Sequence, residues 1–374
     1  MSGDTLPTTW PAEDHTLAKH AILKYFLGAW FPILTNQARK AGSPSDQILY
    51  IDGFAGPGEY VGGQPGSPVI ALQVALSHLQ TFPKPVRFIF IEQRGDRFEH
   101  LVKVLEGYQE EIAKSQNVIL EPPRCGDCDE VLPKILKEQE SRGIKFGPAL
   151  AFLDQFGYSA VSMSLIAKLM SYQQCETFSY LDYRDMNRWI VDPTKADAFT
   201  RAFGTEAWRA AIPLAPSKRK TFLLETYRKN LREIAKVRYV SYFAMADRAG
   251  NPLYWLFFCT NHWRGLEQMK KAMWSVDATG SFRFSDKDDP NQLTLLSDSF
   301  TQAWLADRLE QHFKNRDAKL HEVRDYTLEH TPCYLFKPAL KLLESDGRLE
   351  RLKGPAHGFA DDQMVVRFRR STLF

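Results

Sequence analysis

The sequence predicts an α/β protein: a doubly wound, Rossmann-like domain followed by a winged helix-turn-helix domain. Three observations predict it. Short apolar runs of β-formers alternate with helical segments from residue 48 to about 260. The first of these runs ends in an acid and a glycine-rich turn, Asp52-Gly53-Phe54-Ala55-Gly56-Pro57-Gly58. From Ser299 onward the pattern changes to three helical segments and two alternating runs.

Leu17, Ile22, Tyr25, Phe26 and Trp30 recur at helical spacing, which predicts a first helix from Thr16 to Trp30, ending near Pro32. Ile48, Leu49, Tyr50 and Ile51 are consecutive β-formers, as expected of a parallel strand covered on both faces. Ser67 and Pro68 suit the first turn of a helix reaching about Leu79. Next come a strand from Val86 to Ile91 closing at Glu92, a helix from Asp96 to Leu105, a strand from Val118 to Leu120, a helix from Asp129 to Lys137 and a strand from Ala149 to Leu153. The alternation continues with a helix over 162–170, a strand near 177–181, a basic helical region and two strands, 238–243 and 253–260. Residues 1–284 therefore form the Rossmann-like domain, with a basic helical insertion around 184–238. Residues 285–298, opening with Asp286, Asp288, Asp289 and Pro290, read as a linker, and 299–374 as the winged unit with its wing tip between Gly354 and Asp361.

Composition narrows the classes. At 374 residues, 44% apolar and 25% charged, the chain is an ordinary globular one. Its net charge of +3 is uninformative, but residues 184–238 carry thirteen Lys/Arg against six Asp/Glu, a basic segment suited to a polyanion. Five scattered cysteines suit reduced thiols in a cytoplasmic protein. The stretch from Ala21 to Leu34 is broken by Lys24 and Gly28 and is too short to span a bilayer, so no membrane segment is expected.

Four strand ends deliver candidate ligand groups. The loop of Asp52, Gly53, Phe54, Ala55, Gly56 and Gly58 lets backbone approach a nucleotide. Glu92, with Gln93 beside it, can accept hydrogen bonds from ribose hydroxyls, and Asp127 and Cys128 follow the third strand, where they can line an adenine pocket. Cys125 and Cys128 make one CxxC without a second pair, so no metal is expected. After the fourth strand come Asp154, Gln155, Phe156 and Tyr158: a carboxylate to hold a substrate amine and aromatics to stack on a base, catalysis that rests on positioning. His15 and Lys19 share a helix face and can reach the crevice mouth. Candidate phosphate contacts are Arg188, Lys218, Arg219 and Lys220 in the basic segment, and Lys337, Lys341, Lys353 and Arg369 in the last domain, where Arg351 and Arg367 add to the cationic set.

His15-Thr16 with Lys19 and Tyr25, the run from Tyr50 to Tyr60, Gly66-Ser67-Pro68, Phe203-Gly204 with Trp208, and Thr260-Asn261-His262 with Gly265 and Met269 resemble the bacterial three-Cys-motif partner protein family over nearly the whole chain. The resemblance implies a class I, S-adenosylmethionine-dependent methyltransferase fold with a winged-helix domain, and a companion protein bearing a three-cysteine motif. The Tyr50-x-Asp52-x-x-x-Gly56-x-Gly58-x-Tyr60 pattern also looks like that of adenine-N6 methyltransferases acting on ribosomal RNA, which implies amino-group methylation of nucleic acid. In one place the chain departs from the family: Gln155 stands where the family has the proline of Asp-Pro-Phe-Gly. Proline stiffens that loop, so Gln155 motivates the alternative of a nucleotide-binding adaptor or nucleic-acid-binding protein with little or no catalysis. A nicotinamide-dependent dehydrogenase would share the fold, but the glycines lack GxGxxG spacing.

Overall fold

A computed structural model describes residues 7–38, 47–78, 82–141, 146–155, 161–172, 174–247, 252–277, 283–285, 301–314, 316–355 and 357–369. The chain divides into two compact units, residues 1–272 with 284–289, and residues 273–283 with 290–374.

The first unit opens with α1 (Asp14–Ala38), which continues past the expected stop at Pro32. Trp30 and Phe31, just before the proline, are buried, so tertiary packing outweighs the lost backbone bond. There follow β1 (Ile48–Asp52), α2 (Ser67–Leu76), β2 (Val86–Glu92), α3 (Gly95–Glu106), α4 (Gln109–Lys114), β3 (Val118–Leu120), β4 (Arg124–Cys125), α5 (Cys128–Ser141), β5 (Ala149–Leu153), α6 (Met163–Met170) and β6 (Cys175–Asp182). The expected basic helical region is three helices, α7 (Tyr183–Trp189), α8 (Ala196–Phe203) and α9 (Pro216–Glu233). Then come β7 (Tyr239–Ala246), β8 (Pro252–Thr260), α10 (Trp263–Val276) and β9 (Arg283–Ser285). The short α4 and β4 had no sequence signal.

The strands form one mixed sheet in the order β3-β2-β1-β5-β6-β8-β7-β9, with β4 paired beside β2. β1 pairs in parallel with both β2 and β5, and β5 with β6, whereas β8 is antiparallel to its neighbours β6 and β7. From β1 the chain winds outward through β2 and β3, then returns to the other side of β1 with β5 and β6. The reversal lies between β1 and β5, and the carboxyl ends of strands at such a switch point form the ligand crevice of open α/β sheets.

Strand alternation divides the core into two layers. Leu49, Ile51, Ile89, Ala151 and Leu153 face α5 and α6 in one apolar cluster. Tyr50, Phe88 and Phe90 face the other way and build an aromatic layer with α1, in which Phe31 and Phe88 lie 6.0 Å apart and Tyr50 and Phe88 5.7 Å apart.

The second unit holds α11 (Gln302–Phe313), β10 (Asp317–Lys319), α12 (Leu320–His330), α13 (Phe336–Ser345), β11 (Leu349–Lys353) and β12 (Val365–Phe368). Its strands make a small antiparallel sheet, β10-β12-β11, over a core that includes Leu309, Leu340 and Val366. β10, three residues long, was not anticipated; it is held to β12 by backbone pairing and by the Asp317–Arg367 ion pair at 2.7 Å. Apart from Ser285, the last residue of β9, the expected linker at 285–298 lies outside the described residues. Among the described residues no helix is long and apolar enough to cross a membrane.

Candidate functional site

Parallel pairing of β1, β2, β5 and β6 brings Asp52, Glu92, Asp154 and Asp182 to one end of the sheet. The turn after β1 is built for tightness. Gly56 and Gly58 have φ of +62° and +87°, a left-handed region that L side chains rarely adopt. Gly53 serves packing instead: a Cβ there would lie 2.6 Å from Cys128 Sγ and 2.9 Å from Leu153 Cδ2. Glu92 clips the turn. Its Oε2 accepts the Gly56 N–H at 2.8 Å and its Oε1 the Arg94 N–H at 2.8 Å. The carboxylate expected to meet a ribose thus first fixes the loop, keeping one lone-pair site on each oxygen for a ligand.

Asp52 lies beneath this loop, 0% exposed. Its Oδ1 accepts the Phe54 N–H at 3.2 Å, while Oδ2 has no partner among the described residues. Ser67, expected in the first turn of α2, is its first residue, with Gly66 as the cap, and its side chain interacts with Asp52. Burial pushes the Asp52 carboxyl up to about 7, against the pull of the Ser67 and Phe54 hydrogen bonds.

Lys19 reaches from α1 to the end of β5 and forms a buried ion pair with Asp154; side-chain exposures are 5% and 13%. Sequence reading placed Lys19 at the crevice mouth, as a candidate cofactor contact, and Asp154 at the cofactor and a substrate amine, without pairing them. Burial raises the phenol pKa values of Tyr50, Tyr60 and Tyr180, and nearby acids add to it: Asp52 and Asp154 for Tyr50 and Tyr60, and Asp182 ahead of Asp154 for Tyr180. His20 packs against Tyr60 at 5.6 Å, and burial, then the Lys19 charge, lower its imidazole to about 3, so it is neutral. Trp10 also meets Tyr60 edge-on at 5.6 Å, and Arg97 lies 4.4 Å over the Trp10 ring. Trp10, His20, Tyr60 and Tyr180 were missed as site residues, because only the fold brings Tyr60 and Tyr180 near Asp154 and packs Trp10 and His20 against Tyr60.

Gln155 is 3% exposed, and neither its amide oxygen nor its nitrogen has a hydrogen-bond partner among the described residues. A buried primary amide with both ends unsatisfied is costly, and a ligand carrying an adjacent donor and acceptor would satisfy it. Phe156 and Tyr158 lie outside the described residues.

On the β2 and β4 side, exposed Gln93 donates to Asp127 Oδ2 at 3.4 Å, while Asp127 Oδ1 holds the Asp129 N–H at 2.8 Å. Both present polar atoms at the rim. Cys128 is buried under Gly53, its thiol raised by burial and by the neighbouring acids, so it packs the floor of the turn.

The basic elements continue this rim. α7 starts where β6 ends, with Asp182 as its cap, and the Tyr183 hydroxyl donates to Pro216 O at 3.1 Å, which brings the start of α9 beside α7. Arg188 and Lys218 are exposed there, and Lys220 is half-buried. Arg219 departs from its expected role: it donates to Ala211 O, Ile212 O, Leu214 O and Asn187 Oδ1 at 2.9–3.2 Å, so its fork is consumed internally. Arg219→Ala is expected to cost about 1.5–3 kcal/mol of stability and Lys218→Ala less than about 0.5, a contrast that urea unfolding reads directly.

In the second unit the arginines are likewise engaged. Arg351 pairs with Glu344 and ties down Pro355 O and Gly358 O, Arg367 pairs with Asp317, and Arg369 with Glu350 at 2.7 Å. Lys337, Lys341 and Lys353 are exposed.

No protein-family profile matches the chain, and no curated protein matches it.

Proposed function

We propose that the chain is an S-adenosylmethionine-dependent methyltransferase acting on an amino group of a nucleic-acid base, with a three-cysteine-motif protein as companion. The observation that carries the reading is the convergence, at the β1/β5 switch point, of the clipped glycine turn with the Lys19-oriented carboxylate of Asp154 and the unsatisfied amide of Gln155. The Gly56–Gly58 turn, Glu92, Gln93 and Asp127 would hold the cofactor, which supplies an electrophilic methyl group when bound. Asp154, fixed by Lys19, would accept a hydrogen bond from the amine and leave the nitrogen lone pair free for attack, and Gln155 would pair with the adjacent edge of the base. Exposed Arg188 and Lys218 beside the crevice would follow the phosphate backbone. The helix and strand order of the second unit supports a winged helix-turn-helix, with Lys337, Lys341 and Lys353 as its phosphate contacts.

The test is methyl transfer from labelled cofactor to single- and double-stranded DNA and RNA. Activity should vanish in Asp154→Asn with cofactor affinity retained; equal turnover by the variant would remove Asp154 from the mechanism. A second reading, an adaptor that binds a nucleotide without catalysis, is favoured by the same Lys19–Asp154 pair, which neutralises the acid, and by Gln155 in the loop. Cofactor binding with no acceptor among DNA, RNA and the companion protein would select it.

A further inference from the structure

A second cleft, of about 430 Å³, opens at the opposite end of the first unit, under the start of β6 and the end of β8. Trp30, Ile33, Met170 and Tyr172 form largely apolar walls, and Glu176 forms the floor. Glu176 is 6% exposed, and each of its oxygens accepts one hydrogen bond: Oε2 from Trp30 Nε1 at 2.6 Å and Oε1 from Thr260 Oγ1 at 2.6 Å. Each oxygen keeps another acceptor site. Gly265, in the first turn of α10, makes room for the acid: a Cβ there would fall 1.9 Å from Glu176 Oε1. Thus Thr260 and Gly265, which the crevice chemistry leaves unused, meet a carboxylate at the other end of the sheet, and His262 lines the same cleft.

We infer that this cleft is a binding site for a small planar cation, an amidinium or guanidinium carried on an apolar body. Two N–H donors side by side match the two oxygens of a carboxylate, and the aromatic walls accept the planar group. The titratable and charged groups lining the cleft with Glu176 are Cys175 on its own strand, Tyr172 beyond α6, and His262 and Arg264 at the turn into α10; α1 contributes Trp30 and β8 contributes Thr260. Burial raises the Glu176 carboxyl to about 7 against those two hydrogen bonds, so the anion that a cation needs is mostly absent at pH 6 and mostly present at pH 8.

The experiment is calorimetric titration of the full chain with benzamidine, and with benzamide and benzoate as neutral and anionic counterparts. Acetyl-arginine amide, included in parallel, shows whether a free planar cation or an arginine side chain fits better; binding of either supports the site. Benzamidine should bind about tenfold more tightly at pH 8 than at pH 6, following ionisation of a group near 7. Glu176→Gln should weaken it about tenfold and flatten the pH dependence, which separates Glu176 from His262. Ser171→Trp, at an exposed position on the rim, should block binding while lowering the melting temperature only slightly, through loss of one exposed hydrogen bond to Lys168 O, and it keeps the test intact should Glu176→Gln fail to fold. Equal binding of benzamide, no binding of either cation, or full affinity in Ser171→Trp would overturn the assignment.

Discussion

Lys19→Ala is expected to lower the free energy of unfolding by about 3–5 kcal/mol, because it strands the Asp154 carboxylate in a nearly sealed site. Asp154→Ala should cost a similar amount by stranding the ammonium. The double variant Lys19→Ala/Asp154→Ala should recover much of the loss, since no unpaired charge remains. Urea unfolding of the parent and the three variants closes the cycle. Additive single effects below about 1 kcal/mol each would show that the pair is screened like a surface bridge. The consequence for function is direct: alanine at Asp154 confounds chemistry with folding, whereas asparagine removes the charge but keeps the shape and an oxygen that can accept from Lys19, so it disturbs the fold less.

Asp52→Asn is expected to flatten the pH dependence of stability. The folded-state pKa of Asp52 is raised, to about 7 from 3.8, so its contribution is full below pH 3.8 and is lost as pH rises toward and through 7. A shift of about three units corresponds to as much as about 4 kcal/mol between pH 4 and pH 7.5. Asparagine keeps an acceptor for the Phe54 N–H and the Ser67 hydroxyl but has no charge to desolvate. The variant should therefore melt higher than the parent at pH 7.5 and near it at pH 4. Parallel curves across that range would mean that Asp52 ionises in the fold as freely as in the unfolded chain.

Both effects concern groups the sequence marks out, yet only one was legible in kind. Strand ends at Asp52, Glu92 and Asp154 follow from runs of β-formers cut off by acids, and the structure ends β1 and β2 at Asp52 and Glu92 and places Asp154 directly after β5. The helical spacing in α1 was equally plain, but its passage through Pro32 depends on the burial of Trp30 and Phe31, which local propensity does not contain. The Lys19–Asp154 pair joins positions 135 residues apart and had no local signal. Glu176 looks, in sequence, like a chance acid near a strand; only the pairing of β6 with β8 and the packing of α10 make it the floor of a cleft. Arg219 shows the converse. Its place in Lys218-Arg219-Lys220 invited a phosphate role, and its hydrogen bonds give it a structural one.

The central claim is that the clipped turn after β1 holds S-adenosylmethionine. Calorimetric titration with that cofactor and with S-adenosylhomocysteine, with NAD and ATP as controls, tests it most directly, in the parent and in Glu92→Ala, which removes the acceptor of the Gly56 and Arg94 N–H groups. The account predicts selective binding of the two adenosyl ligands by the parent and its loss in the variant. Failure of the folded parent to bind either one would contradict it.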